Sequence, residues 1–447
     1  MLQKSEAALG AVEYDGLAQR ALAVLDANWR GASTVPSPAL YPHQWSWDSA
    51  CIAIGYSHLD PARGEQELRS LFRGQWSNGL LPHIVFAAGQ GYFPGPEFWQ
   101  TESSPDAPPS PRTSGIVQPP VHATSVLQVY RSERDPALAG EFLADLLPKL
   151  DAWHGYLYRE RNRNGDGLIE IWHPWESGMD NSPLWDPVLS RIELDGRVPE
   201  YERIDRKLVN PDGRPTDWEY DRYAYLVELY RDLHYDGAAI REQCPFVVHD
   251  VLFNSLVVQA NRDLAELARH AGEDPAPHEE RAAMTAAAME QLWDESEGAY
   301  FDRDLRTGER IPVRPGSAFA PLYARVPADD RAHALAERLA AFSVAVPPAG
   351  TAIPSLGTQD PQFESIRYWR GPVWPIVNWV GYRGLRRYGF DEQAAQLRAG
   401  MLELAAREGF WEHYNPLTAR GQGGEQFAWT AGLILDLLAA QEPDPSA

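Results

Sequence analysis

Val251-Leu252-Phe253-Asn254-Ser255-Leu256-Val257-Val258-Gln259-Ala260-Asn261-Arg262-Asp263-Leu264-Ala265-Glu266-Leu267-Ala268-Arg269-His270-Ala271 repeats its apolar residues at intervals of three and four. That spacing predicts an α-helix with one face turned to a core. The same rhythm recurs in both directions. It predicts helices over Leu17–Leu25, Phe142–Tyr158, Tyr220–Leu233, Arg281–Trp293, Arg331–Phe342, Val373–Tyr388, Glu392–Arg407 and Phe427–Ala440. Weaker segments at Trp47–Tyr56, Glu65–Phe72 and Val121–Tyr130 bring the total to about a dozen. No alternating run of useful length competes with them, and pieces such as Gly298–Asp302 read as hairpins between helices. The fold class is therefore all-α.

Two long connections interrupt the pattern, residues 87–120 and 172–217, both rich in Pro and Gly. Loops of that length inside a compact chain usually build a site or a lid. No linker or change of composition divides residues 1–447, so one domain of helical hairpins is expected, with its aromatic and acidic loops at one end. A dozen helices so arranged can close into a toroid or stack as a solenoid, and spacing does not choose between them.

With 44% hydrophobic residues the chain can bury a large core, which excludes global disorder. Its net charge of −23 argues against nucleic acid or an anionic membrane surface as partner. An anionic small molecule would need a local cluster of arginines to overcome that field. The two cysteines, Cys51 and Cys244, make no disulfide framework and fit a reducing compartment. Met1–Glu6 lacks the apolar stretch of a signal peptide, and the longest uncharged run, Gly74–Pro96, is broken by Pro, Gly, Asn and Gln. The 16 Trp and 19 Tyr exceed what a core alone requires. Flat, partly open rings are surfaces on which sugar C–H faces stack while the hydroxyls find polar partners.

Several familiar chemistries are absent. There is no Gly-Lys-Ser/Thr phosphate loop, no His-Glu-x-x-His and no Gly-x-Ser-x-Gly, and the Gly421–Glu425 run follows no recognisable strand. Asn162–Gly167 starts like a calcium loop, but its twelfth position is His173 rather than Glu, and a tight Asn-Gly turn reads better. No metal or organic cofactor is called for.

What stands out is five segments dense in Trp, acids, His and Arg: Tyr41–Asp48, Gln75-Trp76 with Pro82-His83, Trp175–Ser182, Arg367–Trp374, and Trp411–Pro416 followed by Gln426–Thr430. Each alone is ordinarily packing. Five on the loops of one helical domain point to carbohydrate.

Four of these segments carry a resemblance. Tyr41–Asp48, Trp175–Ser182, Tyr368–Trp374 and Glu412–Tyr414 with Phe427–Thr430 resemble glycoside hydrolase family 63, most closely its short bacterial members acting on glycosylglycerates. The resemblance runs from about Tyr41 to Leu438, and Trp175-Glu176-Ser177-Gly178-Met179-Asp180-Asn181-Ser182 is its sharpest part. It implies an (α/α)6 barrel, α-glycoside substrates and inversion at the anomeric carbon. Inversion needs an acid to protonate the leaving oxygen and a carboxylate across the ring to activate water, roughly 6.5–9.5 Å apart. Asp180 stands where the family carries the acid, beside Trp175 and Met179, and Glu412 where it carries the base. Glu176 and Glu425 are rival carboxylates, Glu176 also suited to hold a sugar hydroxyl or orient the acid loop.

Tyr41, Trp45, Trp47, Asp48, Gln75, Trp76, Trp369 and Trp374 are expected to line the sugar pocket, with Tyr368, Gly371 and Gln118 from family-like segments. A glycerate aglycone carries a carboxylate, for which a bidentate Arg is the natural partner. Arg222 resembles the family's carboxylate-binding position, with Tyr92 and Gln426 completing that subsite. The small-molecule glycoside is then the partner, and a cytoplasmic role in recovering sugar and glycerate from a stored solute follows from the resemblance. A neutral disaccharide, as for an α-glucosidase or trehalase, or a non-catalytic sugar-binding toroid, stays open at this point. So do glucose against mannose and a homo-oligomeric state.

Overall fold

The computed structural model describes residue 14, residues 16–89 and residues 91–440; the Met1–Glu6 reading lies outside them. Its longer helices are α1 (Leu17–Asn28), α2 (Ser46–Ser57), α3 (Pro61–Phe72), α4 (His122–Ser132), α5 (Pro136–Glu160), α6 (Asp217–Asp232), α7 (Val251–Ala271), α8 (Ala276–Ala288), α9 (Asp329–Phe342), α10 (Pro375–Arg387), α11 (Asp391–Glu408) and α12 (Ala428–Ala439).

Local chemistry sets the boundaries. Asp60 and Asp135 each cap a helix whose first residue is Pro, where a missing N–H costs nothing. Thr216 and Glu219 close a reciprocal capping box on α6. Asp250 caps α7 through the Phe253 N–H, and Gly272 ends it in the left-handed region.

The helices close on themselves. α2, α4, α7, a 3₁₀ segment at Gly316–Leu322, α10 and α12 each pack on the next, and α12 returns to α2. Outside this ring α3 packs on α2, α5 on α4 and α7, α8 on α7, α9 on the 3₁₀ segment, α11 on α10 and α1 on α12. Six inner elements and six outer ones make an (α/α)6 toroid. Every residue of α2 is buried, whereas α3 buries one stripe, as inner and outer positions require. Gly55 and Gly432 let α2 and α12 approach closely: a Cβ on Gly55 would stand 2.3 Å from the Gly432 Cα.

Two expectations are revised. The fourth inner element is a 3₁₀ segment with Pro321 inside it, too short and too broken for any helical period to reveal. The long connections are built turn by turn. Residues 87–120 hold a short helix at Pro96–Trp99 and a 3₁₀ turn at Thr101–Ser103. Residues 172–217 hold 3₁₀ turns at Pro174–Ser177, Pro183–Trp185 and Pro211–Gly213 and short helices at Asp186–Leu189 and Asp205–Leu208. Gly298 turns a hairpin pairing Trp293-Asp294 with Ala299-Tyr300. The Asn162–Gly167 stretch is a turn in which Asn162 Oδ1 accepts from the Gly167 N–H. No helix among the described residues is long and apolar enough to cross a membrane.

Candidate active site

The N-terminal ends of three inner helices meet at one mouth of the toroid. There Trp47 and Asp48 start α2, Trp374 precedes α10 and Trp429 starts α12. They surround a cavity open to solvent on one side and lined by aromatic, acidic and polar side chains, the composition of a small-molecule site. Of the residues expected there, Tyr41, Trp45, Trp47, Asp48, Tyr92, Gln118, Trp175, Asp180, Tyr368, Trp369, Trp374 and Glu412 line it. Trp369 and Trp374 stack at 3.9 Å, 4° from parallel, and Trp374 meets Trp429 edge-on. The Gln118 side-chain oxygen accepts from the Trp47 N–H at 3.2 Å.

Glu412 is held at every turn. It sits on the hairpin Trp411–Tyr414/Gly421–Glu425. Its Oε1 accepts from Tyr41 Oη at 2.7 Å and Tyr368 Oη at 2.9 Å, and its Oε2 from the Gly424 N–H at 2.9 Å. Accepting at both oxygens is the pattern of an ionised carboxylate.

Asp180 is held differently. Tyr223 Oη donates to its backbone carbonyl at 2.6 Å, and no other described residue donates a hydrogen bond to its carboxyl group. Part of its surface is open to the cavity. Burial pushes its pKa up to about 7; Arg214 and its own N–H pull downward, and Glu412 adds to the rise. One carboxyl that keeps its proton near neutrality thus faces another arranged as an acceptor, the pairing from which acid and base roles are assigned. Asp48 is also raised well above the usual carboxylate range, by burial first and then by Glu412. Burial lowers His83, and lowers His413 to about 3, so both rings are neutral.

Six expected residues stand off the cavity. Gln75 donates to the Gly79 and Lys149 carbonyls, and Trp76 Nε1 to Thr113 Oγ1 at 2.9 Å, each tying the wall together from outside. Glu176 forms a buried bidentate pair with Arg161 and accepts from the Trp172 N–H, so it orders the acid loop without reaching a sugar. Gly371 packs where a Cβ would lie 2.5 Å from the Glu364 carbonyl oxygen. Gln426 lines a neighbouring cleft with Gln422 and Gly423. Arg222 is turned away altogether. Its guanidinium donates to the Leu189 and Trp218 carbonyls and lies on the Trp218 ring, because α6 presents that face to the protein surface.

The arginine that does line the cavity is Arg214. Only 8% exposed, it lies over the Tyr368 ring, and its Nε donates to Asp205 Oδ2 at 3.0 Å. Its Nη1 is 3.6 Å from Glu412 Oε1 and has no hydrogen-bond partner. Arg203 grips the same Asp205 through both oxygens. Burial raises the Asp205 pKa, but Arg214 and Arg203 outweigh it and hold the carboxyl at about 2. Sequence reading misses Arg214 and Asp205 because they lie in Asp205–Thr216, which carries no aromatic cluster. Two charges of opposite sign inside a Pro/Gly-rich site loop were the available signal.

Residues 41–430 match the mannosylglycerate hydrolase MGH1-like glycoside hydrolase domain. The chain belongs to this family. It is accordingly a glycoside hydrolase. A mannosylglycerate hydrolase of Rubrobacter radiotolerans is 48% identical over 95% of this chain and 97% of its own length. A glucosylglycerate hydrolase of Mycolicibacterium hassiacum is 38% identical over 94% and 97%. The family 63 mannosylglycerate hydrolase of Thermus thermophilus, solved with Tris and D-glycerate, superposes with a TM-score of 0.88 at 47% identity, over 95% of this chain and all of that one. The neutral trehalase of Saccharomyces cerevisiae shares the fold alone, at 18% identity and a TM-score of 0.56.

Proposed function

We propose that this hydrolase cleaves an α-linked glucosyl- or mannosylglycerate to the free hexose and glycerate, with inversion at the anomeric carbon. Asp180, protonated near neutral pH, gives its proton to the glyceryl oxygen as the C–O bond breaks. Glu412 takes a proton from the water that attacks the opposite face of the sugar. Stacked Trp369 and Trp374, with Trp45, Trp47 and Trp175, offer apolar faces to the ring, and Asp48 and Gln118 offer polar partners to its hydroxyls. No metal or organic cofactor enters this scheme.

The observation that carries the aglycone is the unpartnered Nη1 of Arg214. A buried guanidinium N–H without an acceptor is costly, and a glycerate carboxylate supplies one in charge-assisted form. A neutral disaccharide would offer it only hydroxyl oxygens, without the matching charge. Tyr92 and Tyr220, on the same wall, bring phenol groups to that end of the cavity. Arg214 thus replaces Arg222 in this role. We read the enzyme as one catalytic unit working in the cytoplasm to reclaim hexose and glycerate from a stored solute.

Anomer-resolved proton NMR tests the reading with α-glucosylglycerate, α-mannosylglycerate, trehalose and a neutral α-glucobiose. Initial release of β-hexose from a glycosylglycerate, with the neutral sugars untouched, is expected. Initial α-anomer would overturn the acid–base pair. Turnover of the neutral sugars alone would overturn the aglycone.

A further inference from the structure

We propose that the carboxylate of the substrate arms the reaction as well as anchoring it: seated on Arg214, it places a negative charge in the cavity that Asp180 also lines and keeps that acid protonated for proton transfer. This rests on the reading that Arg214 receives the aglycone carboxylate, and it makes Arg214 a determinant of specificity in the chemical step and not in binding alone.

The charge cluster is balanced before substrate arrives. Arg203 and Arg214 share Asp205, and Glu412 stands 3.6 Å from Arg214. A further carboxylate therefore tips the chamber negative. Among side chains as buried as Arg214 and Glu412 such a charge acts more strongly on its neighbours than it would in water.

The two catalytic carboxyls are unequally prepared for it. Glu412 accepts from Tyr41, Tyr368 and the Gly424 N–H, which hold it as an acceptor against added negative charge. The Asp180 carboxyl has no donor from any other described residue, so the change falls on Asp180. The titratable and charged groups facing it are Arg214, Glu412, Asp205 and Asp48, the last raised by burial well above the usual carboxylate range. Arg214 alone among them favours the ionised form, the wrong one for an acid. The phenols nearby, Tyr92, Tyr220, Tyr223 and Tyr368, are all raised by burial and stay neutral. A neutral aglycone adds no negative charge beside Arg214, and the acid is then more often in its inactive form.

The test is a direct titration of Asp180 in the whole enzyme by carboxyl carbon-13 NMR, its signal assigned by its loss in Asp180→Asn. Saturating D-glycerate is compared with glycerol. Glycerate is expected to move the Asp180 midpoint up by about one pH unit, a tenfold rise in proton affinity, and glycerol to leave it in place. Arg214→Lys, which keeps the charge, should retain the shift at weaker glycerate affinity, and Arg214→Met should lose both. Glycerate that binds through Arg214 without moving the midpoint overturns the arming and leaves the anchoring. Glycerate that fails to bind, or binds equally well to Arg214→Met, overturns the anchoring itself.

Discussion

Tyr41 Oη donates to Glu412 Oε1 at 2.7 Å across 371 residues of chain, and Tyr368 Oη reaches the same oxygen at 2.9 Å. The two hydroxyls lie 3.1 Å apart. Each fixes the orientation of the proposed base. Tyr41→Phe and Tyr368→Phe should each lower kcat about tenfold or more, the worth of a hydrogen bond to a charged group, with KM little changed. Because the hydroxyls also contact each other, the double variant should lose less than the product of the two single losses. Steady-state kinetics of the four proteins decides it.

Gly423 supports Glu412 from behind. Its φ is +76°, and a Cβ there would lie 2.3 Å from Glu412 Oε2. Gly423→Ala should therefore cost kcat at least as much as either phenol while the unfolding transition stays cooperative. Unchanged kcat would mean the base tolerates displacement.

Asp180→Asn should reduce kcat by about 10²- to 10⁴-fold, the usual share of a general acid. The wild-type pH profile carries a sign as well. Asp180, raised to about 7 by burial, is active when protonated, so kcat/KM, which reports the free enzyme, must fall as pH rises through that region. A profile flat from about pH 6 to 9 would remove Asp180 from the role.

Arg214 and Arg222 separate in the same assay. Arg214→Met should raise KM for a glycosylglycerate far more than for a matched glycosylglycerol. Arg222→Ala, which loses only carbonyl contacts and a stack on Trp218, should leave discrimination between the two unchanged.

The Arg161–Glu176 pair is a matter of stability. Both side chains are buried, with Glu176 also accepting from the Trp172 and Val117 N–H groups. Removing one partner of such a pair strands the other charge, and Glu176→Gln should cost about 3–5 kcal/mol in denaturant unfolding. A loss below about 1 kcal/mol would show that water relieves the stranded arginine.

The helices were legible because amphipathic spacing is local. Val251–Ala271 announces itself from its own residues and appears as α7 with the same bounds. Segments whose apolar period was weaker, such as Trp47–Tyr56, also fold as helices, since burial on all sides replaces a stripe with a nearly continuous apolar surface. The Gly316–Leu322 segment was not legible. It is inner by position alone, held between α7 and α10 rather than by any period of its own.

The site divides along the same line. Asp180, Glu412 and most of the aromatic lining stood in motifs dense enough to recognise, and the fold gathers them around one cavity. Glu176, Gln75 and Trp76 belong to the same motifs, yet point into the wall, because neighbours in sequence alternate between facing the cavity and holding it. The choice between Arg214 and Arg222 was beyond the sequence. The resemblance supplied the requirement for a cation facing a carboxylate, but only the tertiary structure shows that Arg214, 3.6 Å from Glu412 and with an N–H left unpaired, lines the cavity and Arg222 does not. Apolar periodicity is written residue by residue along the chain. A charge acquires its partner only when distant segments close the space between them.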